Sequence, residues 1–368
     1  MENSNSVAFV GKIQEIKQIP NCDNIEQVIV NGWSCISKKD FYRVGTLVGI
    51  ATVDALIPEK MVERLGVKNY LRKGTRVRTI KLKGVYSECL LFDIDNNYKE
   101  GQDLMGDFNI TKYEEPIKQI TLASGRKIKY HQNPNFHTYY KFPNMKNVEG
   151  MFNELDVVHV SRKIHGTNAR YGFVKKTKLS IWDKIKKLFS KDPWIDYETI
   201  YGSHHVEKGS TSQGFYSEDV WRDVATKYKI QEKLETFVKE YLSPELVGTG
   251  IVLYGEIYGL GIQKNYDYGL KELNIVFFDI EMNSAYQHVD IVEDILDKLE
   301  LPIIEELFNG VYHDGLLSYF LHQFVGNTKV PHEGIVIKVT NGDRRKIAKV
   351  INPEYLIYSE KHDVTDFH

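Results

Sequence analysis

The chain has 368 residues with a formal net charge of −2, 42% hydrophobic and 27% charged residues. That is enough for two domains of ordinary size, and the composition is that of a soluble globular chain. The near-neutral balance excludes a protein that coats nucleic acid by bulk charge, so any such contact must use local patches. The three cysteines, Cys22, Cys35 and Cys89, form no CxxC pair. A disulfide framework and a structural zinc site are therefore not expected, and a reducing compartment is. The start, MENSNSVAFVGKIQEI, lacks a basic segment followed by a long apolar run. With no apolar stretch of membrane-spanning length, a cytoplasmic protein without membrane contact is expected.

The first hundred residues read as short strands joined by turns. Val7 to Ile16 and Leu47 to Val53 are strand-like. Val28 to Val30, then Asn31-Gly32, then Trp33 to Ile36 is a hairpin signal, because Asn-Gly supplies the positive φ of a type I′ turn. Arg76 to Leu82 alternates basic and apolar residues before Gly84 turns it toward Tyr86 to Phe92. With a helix-like insert at Lys60 to Leu65, this pattern predicts a small OB-like barrel over residues 1–105. Arg76, Arg78, Lys81 and Lys83 would form a basic face able to track a phosphate backbone, or an ordinary solvated strand face.

Residues 106–145 read as a connector, with Pro116, Pro134 and Pro143, the aromatics Phe136, Tyr139, Tyr140 and Phe142, and an excess of lysine and arginine. Charge plus stacking would suit nucleic acid; a linker packed against both flanking domains is the preferred reading. From 146 to 368 strands and helices alternate. Val157 to Val160, Ala169 to Val174, Ile251 to Tyr254, Ile275 to Ile280 and Gly334 to Val339 read as strands. Asp219 to Tyr241 and Val289 to Leu299 read as helices, and Trp182 to Phe189 as a short basic amphipathic excursion.

Five segments of this region carry residues suited to chemistry. They are Lys163-Ile164-His165-Gly166-Thr167-Asn168, Tyr254-Gly255-Glu256-Ile257-Tyr258-Gly259, Phe277-Phe278-Asp279-Ile280, Glu333-Gly334-Ile335-Val336-Ile337-Lys338, and Lys346-Ile347-Ala348-Lys349. Lys163 leaves a strand for a turn at Gly166, where backbone can approach a ligand closely. An amine is nucleophilic only when unprotonated, and neighbouring cations favour that form over the free lysine pKa of about 10.4. Glu256 and Glu333, each beside a glycine, offer carboxylates for a divalent cation or a ribose hydroxyl. Lys338 and Lys349 offer fixed charges for phosphate oxygens, and Phe278 a ring for a base. Each segment alone is commonplace; their order as a set is what carries weight.

In that order the segments resemble the motifs of the covalent nucleotidyltransferases, the group of ATP- and NAD-dependent polynucleotide ligases and mRNA capping enzymes. Lys-Ile-His-Gly-Thr-Asn is most similar to the RNA ligases, in which histidine often replaces aspartate. An OB-like module before the ligase domain resembles the nick-sealing branch. The resemblance spans about residues 145–357. It implies an α+β fold, an OB-like barrel followed by an adenylylation domain of antiparallel sheets flanked by helices. It implies an ATP-dependent RNA ligase that joins 3′-OH and 5′-phosphate ends with Mg²⁺ or Mn²⁺, acting as a monomer on nicked duplex RNA or an RNA–DNA hybrid.

By motif, Lys163 is the nucleophile that takes AMP. His165, Gly166, Asn168, Glu256, Phe278, Glu333, Lys338 and Lys349 contact the nucleotide, and Glu256 and Glu333 the metal. Tyr201-Gly202-Ser203-His204 is similar to the segment near the ribose. Two departures stand out. Arg162 occupies a position that is often glutamate, and the last motif lacks its usual Lys-x-Lys, leaving Lys346 or Lys349 to serve. Few residues follow Lys349, so a carboxy-terminal OB domain of the DNA-ligase or capping type is not expected. Those two activities, and a non-catalytic nucleic-acid-binding protein, are the alternatives.

Overall fold

The computed structural model describes residues 6–113, 133–148, 150–203, 207–209, 219–326, 328–341 and 345–366. The amino-terminal part is a five-stranded antiparallel sheet. Its order is Trp33–Lys38, Ile25–Val30, Ala8–Gln18, Leu47–Thr52 and Cys89–Phe92. The expected hairpin is present, with Val30 opposite Trp33 and both turn residues at positive φ (Asn31 47°, Gly32 74°). One face buries Val10, Ala51, Leu104 and Phe92; the other buries Val28, Val30, Ile50 and Leu91. This sheet, curled on two small cores, is the OB-type module that the strand pattern predicts. The helix at Glu59–Leu65 closes one side. All three cysteines are buried and free.

The basic stretch departs from expectation. Only Ile80–Leu82 is a strand, in a short hairpin with Val85–Ser87. Arg76 pairs instead with Asp54 and stacks over Tyr113, 3.7 Å from its ring centre.

The carboxy-terminal part holds two sheets. A four-stranded antiparallel sheet runs in the order Glu306–Val311, Val157–Lys163, Gly334–Val339, Ile347–Ile351. A six-stranded sheet is ordered Glu207–Gly209, Tyr197–Gly202, Thr167–Lys175, Gly250–Gly259, Leu273–Met282, Ala285–Tyr286. Strand side chains alternate faces. In the four-stranded sheet Val158, Val160, Ile335, Ile337, Ala348 and Val350 pack into one apolar cluster, each large one contributing about 2 kcal/mol by burial. His159, Ser161, Lys163, Val336, Lys338 and Lys349 are thereby turned to the opposite face.

The predicted helix from Asp219 to Tyr241 is two helices, Val220–Lys227 and Ile230–Tyr241, broken at Lys229 in the left-handed region (φ 51°). In one straight helix, at about 3.6 residues per turn, Ile230 would fall on the side away from Val224. Both residues are fully buried in the same core, with Leu234 and Val238, so the chain must reset its phase between them. The helix predicted at Val289 to Leu299 spans Val289–Lys298, capped by the His288 side chain. The excursion forms a helix at Ile181–Phe189 with a Ser180–Asp183 capping box. Among the described residues no helix is long and apolar enough to cross a membrane.

The connector aromatics Phe136 and Tyr139 pack on Val174, Ile200, Val252 and Tyr254. Lys146 reaches the other way, donating to both carboxylate oxygens of Glu88 at 2.7 and 2.6 Å. Phe136 and Tyr139 thus pack on the six-stranded sheet, while Lys146, just past the connector, reaches the amino-terminal part; residues 114–132, with Pro116 and most of the connector's basic residues, lie outside the described set.

Candidate active site between the two sheets

A cavity of about 580 Å³ opens where the two sheets face each other. The four-stranded sheet lines it with Ser161, Lys163, Val336, Lys338 and Lys349, and the six-stranded sheet with Asn168, Glu256 and Phe278. The OB module supplies Thr52 and Asp54, and the connector Lys112 and Tyr139 to Asn144. Six of the nine residues that the sequence singled out as catalytic or nucleotide-binding therefore meet in one cavity.

Lys163 ends its strand opposite Gly334, and its Nζ donates to Glu333 Oε2 at 2.7 Å. Two glycines make this approach possible. A Cβ on Gly334 would stand 2.2 Å from the Val350 carbonyl oxygen, and one on Gly166 would stand 2.3 Å from that of Ile257 and 2.7 Å from Glu256 Cγ. The Lys163 turn thus lies directly on the Glu256 strand, where Asn168 pairs with Glu256. Lys349, opposite Val336, has its pKa lowered, first by burial and then by the charge of Lys163. Two ammonium groups and the Glu333 carboxylate thus share one corner, and an added anion would relieve the repulsion between the lysines.

Lys338 is buried, and burial lowers its pKa. It donates to the Phe278 carbonyl at 2.7 Å and to Asp279 Oδ2 at 3.1 Å. The Asp279 carboxylate, 1% exposed, also accepts from Tyr139 Oη at 2.6 Å and from Arg345. A buried cation is tolerated only where such a network compensates it. Asp279, Arg345 and Tyr139 were not given site roles from sequence; a carboxylate set between Phe278 and Ile280 was the available signal for Asp279.

Most of the other residues lie elsewhere. The ring of His165 packs against Tyr266 and Tyr355, outside the lining, while its backbone N–H donates to Tyr268 Oη at 2.6 Å. Lys346 is held by Asp156 at 2.8 Å, so Lys349 is the lysine of that pair in the cavity. Arg162, also part of the cavity lining, has its guanidinium held by Glu305 and Gln323, to which it donates at 3.0 and 2.7 Å. Tyr201 is buried in the core, its hydroxyl meeting Arg222, and His204 lies outside the described residues. Arg78 pairs with Glu360, and Lys81 sits over Tyr86, whose hydroxyl donates to Glu354 at 2.7 Å. Lys83 sits in the hairpin turn at φ 50°. Three of the four basic residues at 76–83 thus make contacts within the chain.

No curated protein matches the sequence. Among solved structures, a variant of the Naegleria gruberi RNA ligase with ATP and Mn superposes with a TM-score of 0.72 at 20% identity, over 98% of this chain and 100% of that one. The same organism's RNA ligase with PPi gives 0.70 at 20% identity, over 98% and 99%. At this identity the likeness establishes a shared fold across both domains. A family model described as an OB-fold domain matches residues 7–94. A second, described as RNA ligase, matches residues 156–351, more than half of the chain and all strands of the two facing sheets. The chain belongs to the RNA ligase family.

Proposed function

We propose that this chain is an ATP-dependent RNA ligase in which Lys163 carries AMP between ATP and a 5′-phosphate end, and that it seals nicks in duplexes. The observation that carries the reading is Lys163, paired with Glu333, at the edge of a cavity shared with Glu256, Phe278, Lys338 and Lys349. The similar Naegleria structures contain ATP or AMP with Mn.

In this reading residues 1–105 are the OB module, 106–145 the connector and 146–368 the adenylylation domain. The amine of Lys163 attacks the α-phosphorus of ATP, a P–N bond forms, and pyrophosphate leaves with the bonding pair. Glu333, already hydrogen-bonded to that amine, orients it and favours its proton's departure. Lys349 and Lys338 meet the charge on the phosphate oxygens in a partly dry site, where fixed cations act most strongly. Phe278 offers a face for adenine, and Glu256 an acceptor for the ribose. The AMP then passes to a 5′-phosphate oxygen, and a 3′-hydroxyl displaces it.

Glu256 and Glu333 supply oxygen donors only, which suits hard divalent cations such as Mg²⁺ or Mn²⁺. Bound there, the ion would neutralise phosphate charge; Lys163, Lys338 and Lys349 perform the binding and orientation without it.

Incubation with α-labelled ATP and Mn²⁺ tests the reading. Label is expected on the protein from ATP and not from GTP, and Lys163→Ala should abolish it. Full labelling of Lys163→Ala would sink the assignment. Label from GTP would point to a capping-type reaction.

A further inference from the structure

On the cavity-facing side of the Lys163 strand, four residues upstream of the proposed nucleophile, His159 is buried at 3% exposure. Neither of its ring nitrogens makes a hydrogen bond among the described residues. A buried polar side chain without a partner is rare and costs about 1–3 kcal/mol, so it calls for an explanation. Its Nε2 is aimed between two carboxylates, 3.3 Å from Glu306 Oε2 and 3.6 Å from Glu293 Oε1. The three atoms all lie within 4.8 Å of one another.

The strands are arranged to bring this about. Along the pairing of Val157–Lys163 with the edge strand Glu306–Val311, Val160 stands opposite Phe308, but Ser161 stands opposite Glu306. One residue is skipped. In regular register Glu306 would lie opposite Arg162, on the other face of the strand from His159. The bulge turns it onto the face of His159 and Ser161, the re-aiming for which edge bulges recur in sheets. Glu293 comes from the helix Val289–Lys298, whose buried residues Val292, Ile295 and Leu296 pack in the core of the six-stranded sheet.

We infer that His159, Glu293 and Glu306 form a zinc site, separate from the proposed nucleotide cavity, that pins the helix Val289–Lys298 to the sheet edge. Two ligand atoms about 2.1 Å from a tetrahedral zinc stand about 3.4 Å apart, which the two His159 distances bracket. Zinc accepts both imidazole nitrogen and carboxylate oxygen, so these three donors leave a fourth, tetrahedral position for water. Magnesium, which wants oxygen ligands in a strict octahedron, suits it poorly. The buried imidazole offers Nε2 as the nitrogen donor, aimed at both carboxylates. The two carboxylates, both close to Nε2, repel each other. A divalent cation removes that repulsion. Lys338 does not serve in its place, being engaged by Asp279 at 3.1 Å.

The test is a zinc titration of the full chain, stripped with a chelator and free of nucleotide, against a chromophoric competitor. It compares wild type, the double variant Glu293→Gln/Glu306→Gln, and Glu333→Gln. The two glutamates are 40% and 42% exposed, so amides there leave the fold intact, as circular dichroism would check. Wild type and Glu333→Gln should each take up one zinc more than the double variant, whose affinity at this site should fall at least tenfold. Zinc should also raise the thermal unfolding midpoint of wild type by several degrees, and that of the double variant by less. Millimolar Mg²⁺ should not displace it. Equal zinc uptake by wild type and the double variant, or loss of the extra zinc in Glu333→Gln, would overturn the site.

Discussion

At the residue scale, the two lysines of the last motif separate by their partners. Lys349 lies in the cavity beside Lys163, whereas Lys346 is tied to Asp156 at 2.8 Å. Lys349→Ala should therefore slow self-adenylylation by about 10²–10³-fold, the usual loss for a donor aimed at developing charge. Lys346→Ala should leave the rate within a few-fold and cost about 1 kcal/mol or less of stability, since its pair is partly solvated. Single-turnover labelling of the two variants separates them; equal rates would refute the assignment.

Asp279 is a different case. It is the common acceptor of Tyr139, Lys338 and Arg345, and Asp279→Asn strands two cations around a buried amide. A loss of about 3–5 kcal/mol is expected by chemical denaturation, with adenylylation falling as well because Lys338 loses its anchor.

Elements show what was legible and why. The Asn31-Gly32 hairpin, the strands carrying Lys163, Glu256 and Lys338, and the helix at Val289–Lys298 follow from local rules of turn chemistry, alternation and helical spacing. Those rules act over a few residues and need no knowledge of the partner. The cavity residues were legible because the strands that bear them carry ordered motifs. What was not legible depends on tertiary neighbours. The break at Lys229 arises because Val224 and Ile230 must reach one core, and alternation at Arg76 to Leu82 mimics a strand where most of that run is loop. The bulge that re-aims Glu306 leaves no mark in composition. The break carries its own prediction. Lys229 holds φ 51° at a position where no Cβ is favoured, so Lys229→Gly should stabilise the chain, by about 0.5–1 kcal/mol. A fall in the midpoint of urea unfolding would contradict it.

At the scale of the whole molecule, the OB module is not a separate bead. Asp54 lines the cavity beside Lys349, and Arg78 and Tyr86 meet Glu360 and Glu354 on the helix Pro353–Lys361. Of the basic residues that the sequence offered for phosphate contact, Arg78 docks directly on the carboxy-terminal part, through Glu360. Docking and nucleic-acid binding predict different salt and mutation behaviour. If Arg78 chiefly pairs with Glu360, Arg78→Glu sets two carboxylates against each other, a penalty of about 1 kcal/mol for a partly exposed pair. Nick sealing should then fall roughly threefold to tenfold, and Glu360→Arg in the same chain should restore most of it, because the pair is re-formed with its charges exchanged. If Arg78 instead contacts phosphate, the second substitution cannot rescue sealing, since the strand still meets a carboxylate at position 78. The four-protein cycle, read by sealing rate at low salt with self-adenylylation as the internal reference, decides between the two.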